Sequence, residues 1–412
     1  MTQSEGQTSN IRTREFVQFE WRFLLFGFLL TFWSGPGQTF VISLFGGHFR
    51  EEFNLSHGDF GLLYTVATLV SASLLWKTGP LVDHLPLRKF AIFLVCLMIL
   101  AMALMSGVQG PITLFAGILF VRFMGQGMLS HTAVTAMARR YEKERGRAIA
   151  FAGLGFIAGE AVFPPAIVLA LSLFDWRLIW PSIAVLAAIT FLPFIGKLII
   201  HTEHQDGKGA EELEASLPTS EKHWTRAELL RDKRFYMLCL IPIAQSGIIT
   251  GLFFHQVHII ELKGWSFEWW SICFTIFAAF SLIGGLMAGF LVDRLSARRI
   301  VPFSLLFMDL ALILLSIFDH EWSAPFVMAA LGVGAGYTTP SLSSLWAELY
   351  GTRHLGAIRS VASVVMVFGS ALGPVLMGFA FDLEMALSTI TLVSALLAFA
   401  GVGAAFQALK PR

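Results

Sequence analysis

Long, uninterrupted apolar runs make up most of the sequence, and short polar connections separate them. An α-helix needs about twenty apolar residues to cross the hydrocarbon core of a bilayer. Strands of a membrane barrel would instead alternate apolar and polar residues over about ten positions. The pattern therefore predicts transmembrane helices, and twelve runs qualify: 22–46, 58–82, 88–108, 111–137, 146–173, 177–200, 235–260, 267–292, 299–318, 323–348, 355–381 and 385–408.

The longest polar stretch runs from His201 to Asp232 and divides the runs into two sets of six. We interpret it as a solvated linker with a surface helix near 225–231. The predicted organisation is a tail at 1–21, a six-helix bundle at 22–200, the linker at 201–234, a second six-helix bundle at 235–408 and a tail at 409–412.

Lys and Arg residues are concentrated in alternate connections, which predicts the orientation of the chain because cytoplasmic loops carry an excess of them. The opposite connections contain only Arg50, Arg177 and Lys263. We therefore expect both termini and the linker in the cytoplasm, and the protein in an inner membrane. One extra or missing span would disrupt the alternation, so the charges support the number twelve.

Composition narrows the function further. The chain is 56% hydrophobic and 14% charged, whereas soluble domains have roughly a quarter charged residues. A net charge of +1 gives no basis for nucleic-acid binding, and Cys96, Cys239 and Cys273 lie in separate apolar runs, which predicts no disulfide or metal framework. No zinc-protease, nucleotide-binding or nucleophile-elbow motif stands out, so we predict neither an enzyme nor a bound cofactor or metal.

A short segment occurs twice. Residues 79–89 and 289–299 share the pattern G-x-L-V-D-x-L-x-x-R-[RK], and each copy closes the second run of its half. An even number of runs separates the copies, so the halves are parallel repeats related by an axis along the membrane normal. Some transporters use this arrangement to rock two halves about a site at the midplane.

These copies resemble the loop signature of the major facilitator superfamily, with departures at His84 and Pro86. The matching residues are Gly79, Asp83, Arg88 and Lys89 in the first copy and Gly289, Asp293, Arg294, Arg298 and Arg299 in the second. The resemblance implies an all-α fold of two pseudo-symmetric six-helix bundles, with the first, fourth, seventh and tenth helices around a central cavity. Asp83 and Asp293 would form latches that break on rocking, or would only fix the loop geometry. Residues 348–357 further resemble the corresponding loop of monocarboxylate and oxalate–formate type members.

Arg122 is the sharpest candidate for a functional residue. It lies eleven residues after Pro111, roughly 16 Å along the fourth helix. Burying an arginine at such depth costs free energy, and such residues are usually functional. We expect Gln126 one turn later on the same face. The stretch resembles the family's fourth-helix signature, which implies proton coupling or substrate binding. The alternative is a structural arginine satisfied by backbone carbonyls and a carboxylate.

Glu160, in the fifth run, lies at a similar depth and is the natural partner of Arg122. Two alternatives stay open: the carboxylate carries a coupling proton, or the two residues form a static ion pair. Gly159-Glu160 stands where the family's antiporter motif has Gly-Pro, which argues against a drug antiporter.

Several other polar residues fall inside the runs. Gln38 follows Gly35-Pro36-Gly37, where we predict a break in the first helix. The resemblance implies that Gln38, Gln245 and Tyr337 face the substrate; the alternative is hydrogen bonding between helices. His255, His258 and Glu261 recur every three residues near the outer end. We expect a solvated vestibule wall there, with His255 as a further binding or coupling residue, rather than a metal site.

The leading hypothesis is a proton-coupled or exchange carrier for a small organic anion such as a monocarboxylate, because one arginine with amide and hydroxyl neighbours suits a carboxylate. The alternative is an efflux antiporter for hydrophobic compounds. The expected partners are the small solute, protons and the lipid bilayer, and we expect a monomer.

Overall fold

The computed structural model describes residues 13–141, 144–199, 224–351 and 353–410. Most of the predicted linker therefore lies outside the described residues. Twelve long helices occupy the described chain and are numbered here in order: α1 (Thr13–Phe32), α2 (His57–His84), α3 (Leu87–Met105), α4 (Pro111–Arg140), α5 (Arg145–Leu171), α6 (Trp176–Leu198), α7 (Lys233–Phe254), α8 (Phe267–Leu295), α9 (Ala297–Ile317), α10 (Ala324–Tyr350), α11 (Leu355–Asp382) and α12 (Leu387–Ala408).

Eleven candidate spans meet both the length and the apolar content needed to cross a membrane. The remaining helix, α10, is long enough with 27 residues but less apolar, because its middle carries Tyr337, Thr338 and Ser341. These three side chains are buried, so α10 turns its polar residues towards the protein interior. The predicted all-α architecture is confirmed, and eleven of the twelve predicted spans meet these criteria within the described residues.

The first helix differs from its predicted bounds of 22–46. It begins at Thr13 and ends at Phe32, and short helical segments continue the chain to Phe53. The seventh helix likewise ends at Phe254 rather than at residue 260. In both places the apolar run continues past the helix end, and an apolar pattern alone does not register a break in the backbone.

Glycines let helices within each bundle pack backbone against backbone, as is typical of membrane helices. A Cβ atom on Gly155 of α5 would overlap the carbonyl oxygen of Phe28 on α1. In the second bundle, one on Gly336 of α10 would overlap the carbonyl oxygen of Ser281 on α8. Only a residue without a side chain permits these approaches.

The two bundles are joined at one side of the molecule. We call the side where α1 begins and α12 ends the termini side, and the opposite side the far side. By helix alternation, both copies of the repeated loop lie on the termini side. Between α2 and α11, the Thr65 hydroxyl donates to the Ala371 carbonyl oxygen at 2.5 Å, and between α5 and α8, Thr275 donates to Ala161 at 3.2 Å.

Across the described ranges, the hydrogen bonds between bundles are confined to the far half. Near the end of that half, Asp382 of α11 accepts from the hydroxyl of Ser56 and from the backbone N–H groups of His57 and Gly58 at 2.7–2.9 Å. This carboxylate satisfies N–H groups at the start of α2 that have no partner within the helix. The conformer is therefore closed at the far side.

The Gly155 contact predicts a position-specific effect on stability. Replacing Gly155→Ala should lower the free energy of unfolding by about 1–3 kcal/mol, since overpacking forces α1 and α5 apart. Gly153→Ala is the matched control, because a Cβ atom there meets nothing within 4 Å; it should be neutral or raise stability by up to about 1 kcal/mol. The measurement is the thermal unfolding midpoint of both variants in detergent. Equal midpoints would contradict the close approach.

Candidate functional site

The break in the first span positions one wall of the site. Gly35–Gly37 forms a 3₁₀ turn, Gln38 is extended with φ −90° and ψ 158°, and a helical segment resumes at Thr39. The predicted break is therefore present. A Cβ atom on Gly37 would lie 2.5 Å from the carbonyl oxygen of Val121 on α4, so the turn fits against α4 only because this residue is glycine. The contact holds Thr39 beside the middle of α4.

A π-helical segment, Phe123–Leu129, begins directly after Arg122. Single turns of this kind are common at functional sites. Arg122 is 1% exposed, whereas Gln126, inside this segment, is exposed. The two side chains therefore have different surroundings, and the expectation that they share one face stays a prediction.

Arg122 is held by one side chain, Tyr64 of α2. Its Nη1 atom donates to the Tyr64 hydroxyl, and its guanidinium carbon lies 4.4 Å from the centre of the Tyr64 ring, a cation–π distance. The Tyr64 oxygen lies 2.6 Å from the hydroxyl oxygen of Thr39, and its ring is 4.5 Å from the ring of Phe254 at the end of α7. Residues from both bundles therefore meet around the guanidinium.

The other edge of the Arg122 guanidinium has no partner. Nε and Nη2 are buried and make no hydrogen bond. A buried charge with unpaired donors is strongly unfavourable. Nε and Nη2 lie on one edge of the planar group, and this is a fork that binds the two oxygens of a carboxylate.

Glu160 does not supply that carboxylate. It is 6% exposed on α5, and the described residues contain neither an ion pair nor a hydrogen bond to it. The alternative of a static pair between Arg122 and Glu160 is wrong, because Arg122 turns towards α2. Glu160 lies beside Ala161, where α5 contacts Thr275 of α8 in the second bundle.

The uncharged candidates have different surroundings. Gln38 is buried beside the break. Gln245 is half-buried; its Oε1 atom accepts from Thr338 at 3.5 Å, and its Nε2 atom is buried without a partner. Tyr337 is buried and donates to the Ile300 carbonyl oxygen at 3.1 Å. For Tyr337 the structure favours the alternative of an interhelical hydrogen bond over a substrate-facing position.

His255 lies outside the central region. It is 3% exposed, and its Nε2 atom is 2.8 Å from the carbonyl oxygen of Pro374 on α11. The expectation of a solvated wall is wrong for this residue, because α11 covers it when the far side is closed. Within the described residues, no group of His, Cys, Asp and Glu has the arrangement of a metal site.

The repeated loops form contacts within their own bundles. Asp83 pairs with Arg139 at 3.4 Å, and both side chains are half exposed, so the pair contributes little by itself. In the second bundle, Glu348 accepts from the backbone N–H of Ala297 at 2.6 Å, at the start of α9. The remaining charged residues of the two loops are exposed: Arg88, Lys89, Asp293, Arg294, Arg298 and Arg299.

The two most informative side chains, Tyr64 and Thr39, were not among the residues predicted from the sequence. Each lies in a predicted helix without a charge to mark it. The only available signal for Thr39 was its position directly after Gln38 at the predicted break.

The fold and the repeated loops define a multi-pass membrane protein of two similar helical bundles around a buried basic site. The model of the Major Facilitator Superfamily matches residues 27–374 and 257–410, and the chain belongs to this family of transporters. The predicted superfamily is confirmed. The predicted monocarboxylate and oxalate–formate branch is not singled out by these comparisons.

Solved structures show the same fold. A bacterial homolog of the human lysosomal transporter Spinster, in an inward-facing and unoccupied conformation, is 16% identical; the match covers 95% of this chain and 93% of that chain with a TM-score of 0.69. A mutant form of the nucleoside transporter NupG is 14% identical over 95% of this chain and 100% of that chain, with a TM-score of 0.71. No curated protein matches by sequence.

The hydrogen bond between Arg122 and the Tyr64 hydroxyl predicts the effect of removing that hydroxyl. Tyr64→Phe should lower the free energy of unfolding by about 1–3 kcal/mol, because it leaves a further buried donor unpaired. Tyr236→Phe is the control: the hydroxyl of Tyr236 bonds to Leu230 at 2.8 Å on the protein surface, and its loss should change stability by less than about 0.5 kcal/mol. Chemical unfolding in mixed micelles measures both, and similar losses would contradict the arrangement around Arg122.

Proposed function

We propose that the protein is a secondary transporter that moves a small organic anion with a carboxylate group, such as a monocarboxylate, across the cytoplasmic membrane. One observation carries the proposal: the Nε and Nη2 atoms of Arg122 are buried without a partner. A substrate carboxylate would complete this site, whereas a structural arginine would already have its partners in the protein.

The charge and shape of the site favour a carboxylate over a neutral solute. Guanidinium binds carboxylate through two parallel hydrogen bonds, and this is stronger and more specific than a single contact. Tyr64 holds the Nη1 atom and so fixes the plane in which the open edge lies. The resemblance of residues 348–357 to the monocarboxylate and oxalate–formate type members supports the same substrate class.

Alternating access is the mechanism that fits this site. The open edge of Arg122 is enclosed, and the far side is closed by α2 against α11. An anion therefore reaches the arginine only when the bundles rock. The excess of Lys and Arg on the termini side supports an orientation with both termini in the cytoplasm, and the conformer is then closed towards the outside.

Glu160 is the residue we propose for proton coupling. A buried carboxyl group without a partner is more stable with a proton than without one. Glu160 precedes Ala161, the residue of α5 that Thr275 of the second bundle contacts. Rocking of the two bundles would therefore change the exposure of Glu160 to water. It would then bind a proton in one conformer and release it in the other.

A specific observation favours the alternative of efflux of hydrophobic compounds. An open apolar groove of about 1040 Å³ lies between α1, α5 and α6, with Phe32, Trp33 and Phe163 in its wall and exposed Leu178 and Val185 at its mouth. It shares no residue with the surroundings of Arg122. The two functions therefore make different predictions for variants of Arg122.

Replacing Arg122→Ala should abolish most anion transport. Truncating one partner of a buried charge pair removes about 2–5 kcal/mol, and each 1.4 kcal/mol is about tenfold, so kcat/KM should fall by about 30- to 3000-fold. The measurement is uptake of short organic acids by proteoliposomes. Arg226→Lys, at an exposed site, is the control and should transport normally. Anion flux that survived in Arg122→Ala would contradict the proposal, and efflux of hydrophobic compounds by the same variant would support the alternative.

Replacing Glu160→Gln should separate transport from the proton gradient. The amide keeps the shape of the protonated acid but cannot release a proton, so uptake should no longer respond to an imposed pH gradient while substrate exchange continues. Glu268→Gln, at an exposed position of α8, is the control and should keep the response. Gradient-driven uptake that survives in Glu160→Gln would exclude Glu160 as the coupling residue.

A further inference from the structure

A cluster of charged and titratable side chains lies at the far side, where the two bundles are closed. The first bundle and the α1–α2 connection contribute Arg50 and His57; the second bundle and the α7–α8 connection contribute His255, His258, Glu261 and Asp382. We call these six residues the far-side cluster. It is separate from the surroundings of Arg122 and is unexplained by anion binding.

His57 is at the centre of the far-side cluster. Its ring centre lies 4.0 Å from that of His258 and 5.8 Å from that of His255. These are contacts between the bundles, so any charge on one ring is felt directly by the other bundle. Two protonated imidazoles at such a distance would repel each other strongly in a partly buried site.

The hydrogen bond of His57 fixes its protonation state in the closed conformer. The Nη1 atom of Arg50 is 3.1 Å from the Nε2 atom of His57. Arginine is always a donor, so Nε2 accepts and His57 is neutral with its proton on Nδ1. A second proton on Nε2 would set two donors against each other and place a cation against the Arg50 guanidinium.

The other two histidines also favour neutrality in the closed conformer. The Nε2 atom of His255 faces the carbonyl oxygen of Pro374, which only accepts, so this nitrogen carries the proton and the ring has no need of a second one. Burial and the nearby Arg50 guanidinium lower the pKa of His258, against a raising effect of Glu261, whose carboxylate is 3.6 Å away.

The second acid of the far-side cluster is already engaged. Asp382 accepts three hydrogen bonds from Ser56, His57 and Gly58, and all three donors belong to the start of α2. It thereby joins α11 to α2. Its negative charge favours a proton on the His57 ring, but burial, Arg50 and His258 disfavour that proton and together outweigh it. The closed far side is thus matched to uncharged histidines.

We propose that the far-side cluster is a proton-binding site that opens the far side: a proton arriving on His57 breaks its hydrogen bond with Arg50 within the first bundle and leaves two neighbouring cations at the bundle interface, which water can solvate only when the two bundles separate. This inference rests on the alternating access of the proposed function but not on the identity of the substrate. The proton is accommodated only in the open conformer, so the ratio of open to closed molecules rises as pH falls, by at most about tenfold per pH unit for one proton.

The test measures the far-side distance directly. Spin labels are attached at Gln109→Cys and Glu321→Cys, which are exposed far-side positions on different bundles, after Cys96, Cys239 and Cys273 are replaced by Ser. Distances are recorded by double electron–electron resonance on the full chain in lipid nanodiscs, between pH 8 and pH 5, with no substrate present. The ratio of the long-distance to the short-distance population should grow at least about tenfold from pH 8 to pH 5.

The variants decide whether the far-side cluster is responsible. His57→Gln should remove most of the growth in the long-distance population, and His258→Gln, the second variant if the first fails to fold, should reduce it at least threefold. His48→Gln changes an exposed histidine of the same side and should leave it intact. Distances that do not respond to pH, or a full response in folded His57→Gln, would overturn the inference; if His57→Gln does not fold, a full response in His258→Gln would do so. Because no anion is added, loss of anion transport would not affect this result.

Discussion

The structure depends on the burial of one positive charge, the guanidinium of Arg122, with two of its three nitrogen atoms unpaired. Tyr64 satisfies one edge of the group, and the other edge has no protein partner. Such an arrangement is costly in a bilayer, so the surrounding helices must hold it in place. The turn at Gly37, the π-helical segment after Arg122 and the contact of Tyr64 with Phe254 together do this.

The same contacts connect the charge to the movement of the bundles. Phe254 ends α7, and the next residue, His255, belongs to the far-side cluster. Tyr64 lies next to Thr65, whose hydroxyl bonds to α11 across the bundle interface. A change at the arginine and a change at the closed far side therefore act on neighbouring residues of α2 and α7, which is the physical route by which binding and gating would be linked.

Charge was the most informative part of the sequence. Arg122 and Glu160 could be selected because ionised side chains are rare at mid-depth, and the duplicated loops because their glycines, carboxylates and basic residues recur in order. Tyr64 and Thr39 could not be selected, since an uncharged polar residue in an apolar run occurs as often in packing as in a site. The pairing of Arg122 with Glu160 was predicted from depth alone, and depth does not tell which way a side chain turns.

The sequence by itself determined the number and class of the helices, the division into two halves and their parallel repetition, because these follow from hydrophobicity and spacing along the chain. The family was indicated by the resemblance of the repeated loops to its signature. Only the tertiary structure decided which residues meet: Arg122 with Tyr64, His57 with His258, and Asp382 with the start of α2. The first of these contacts joins positions 58 residues apart and the last joins positions 326 residues apart. All of them depend on how each helix is rotated and on which helices pack together, and neither is encoded in the pattern of a single helix.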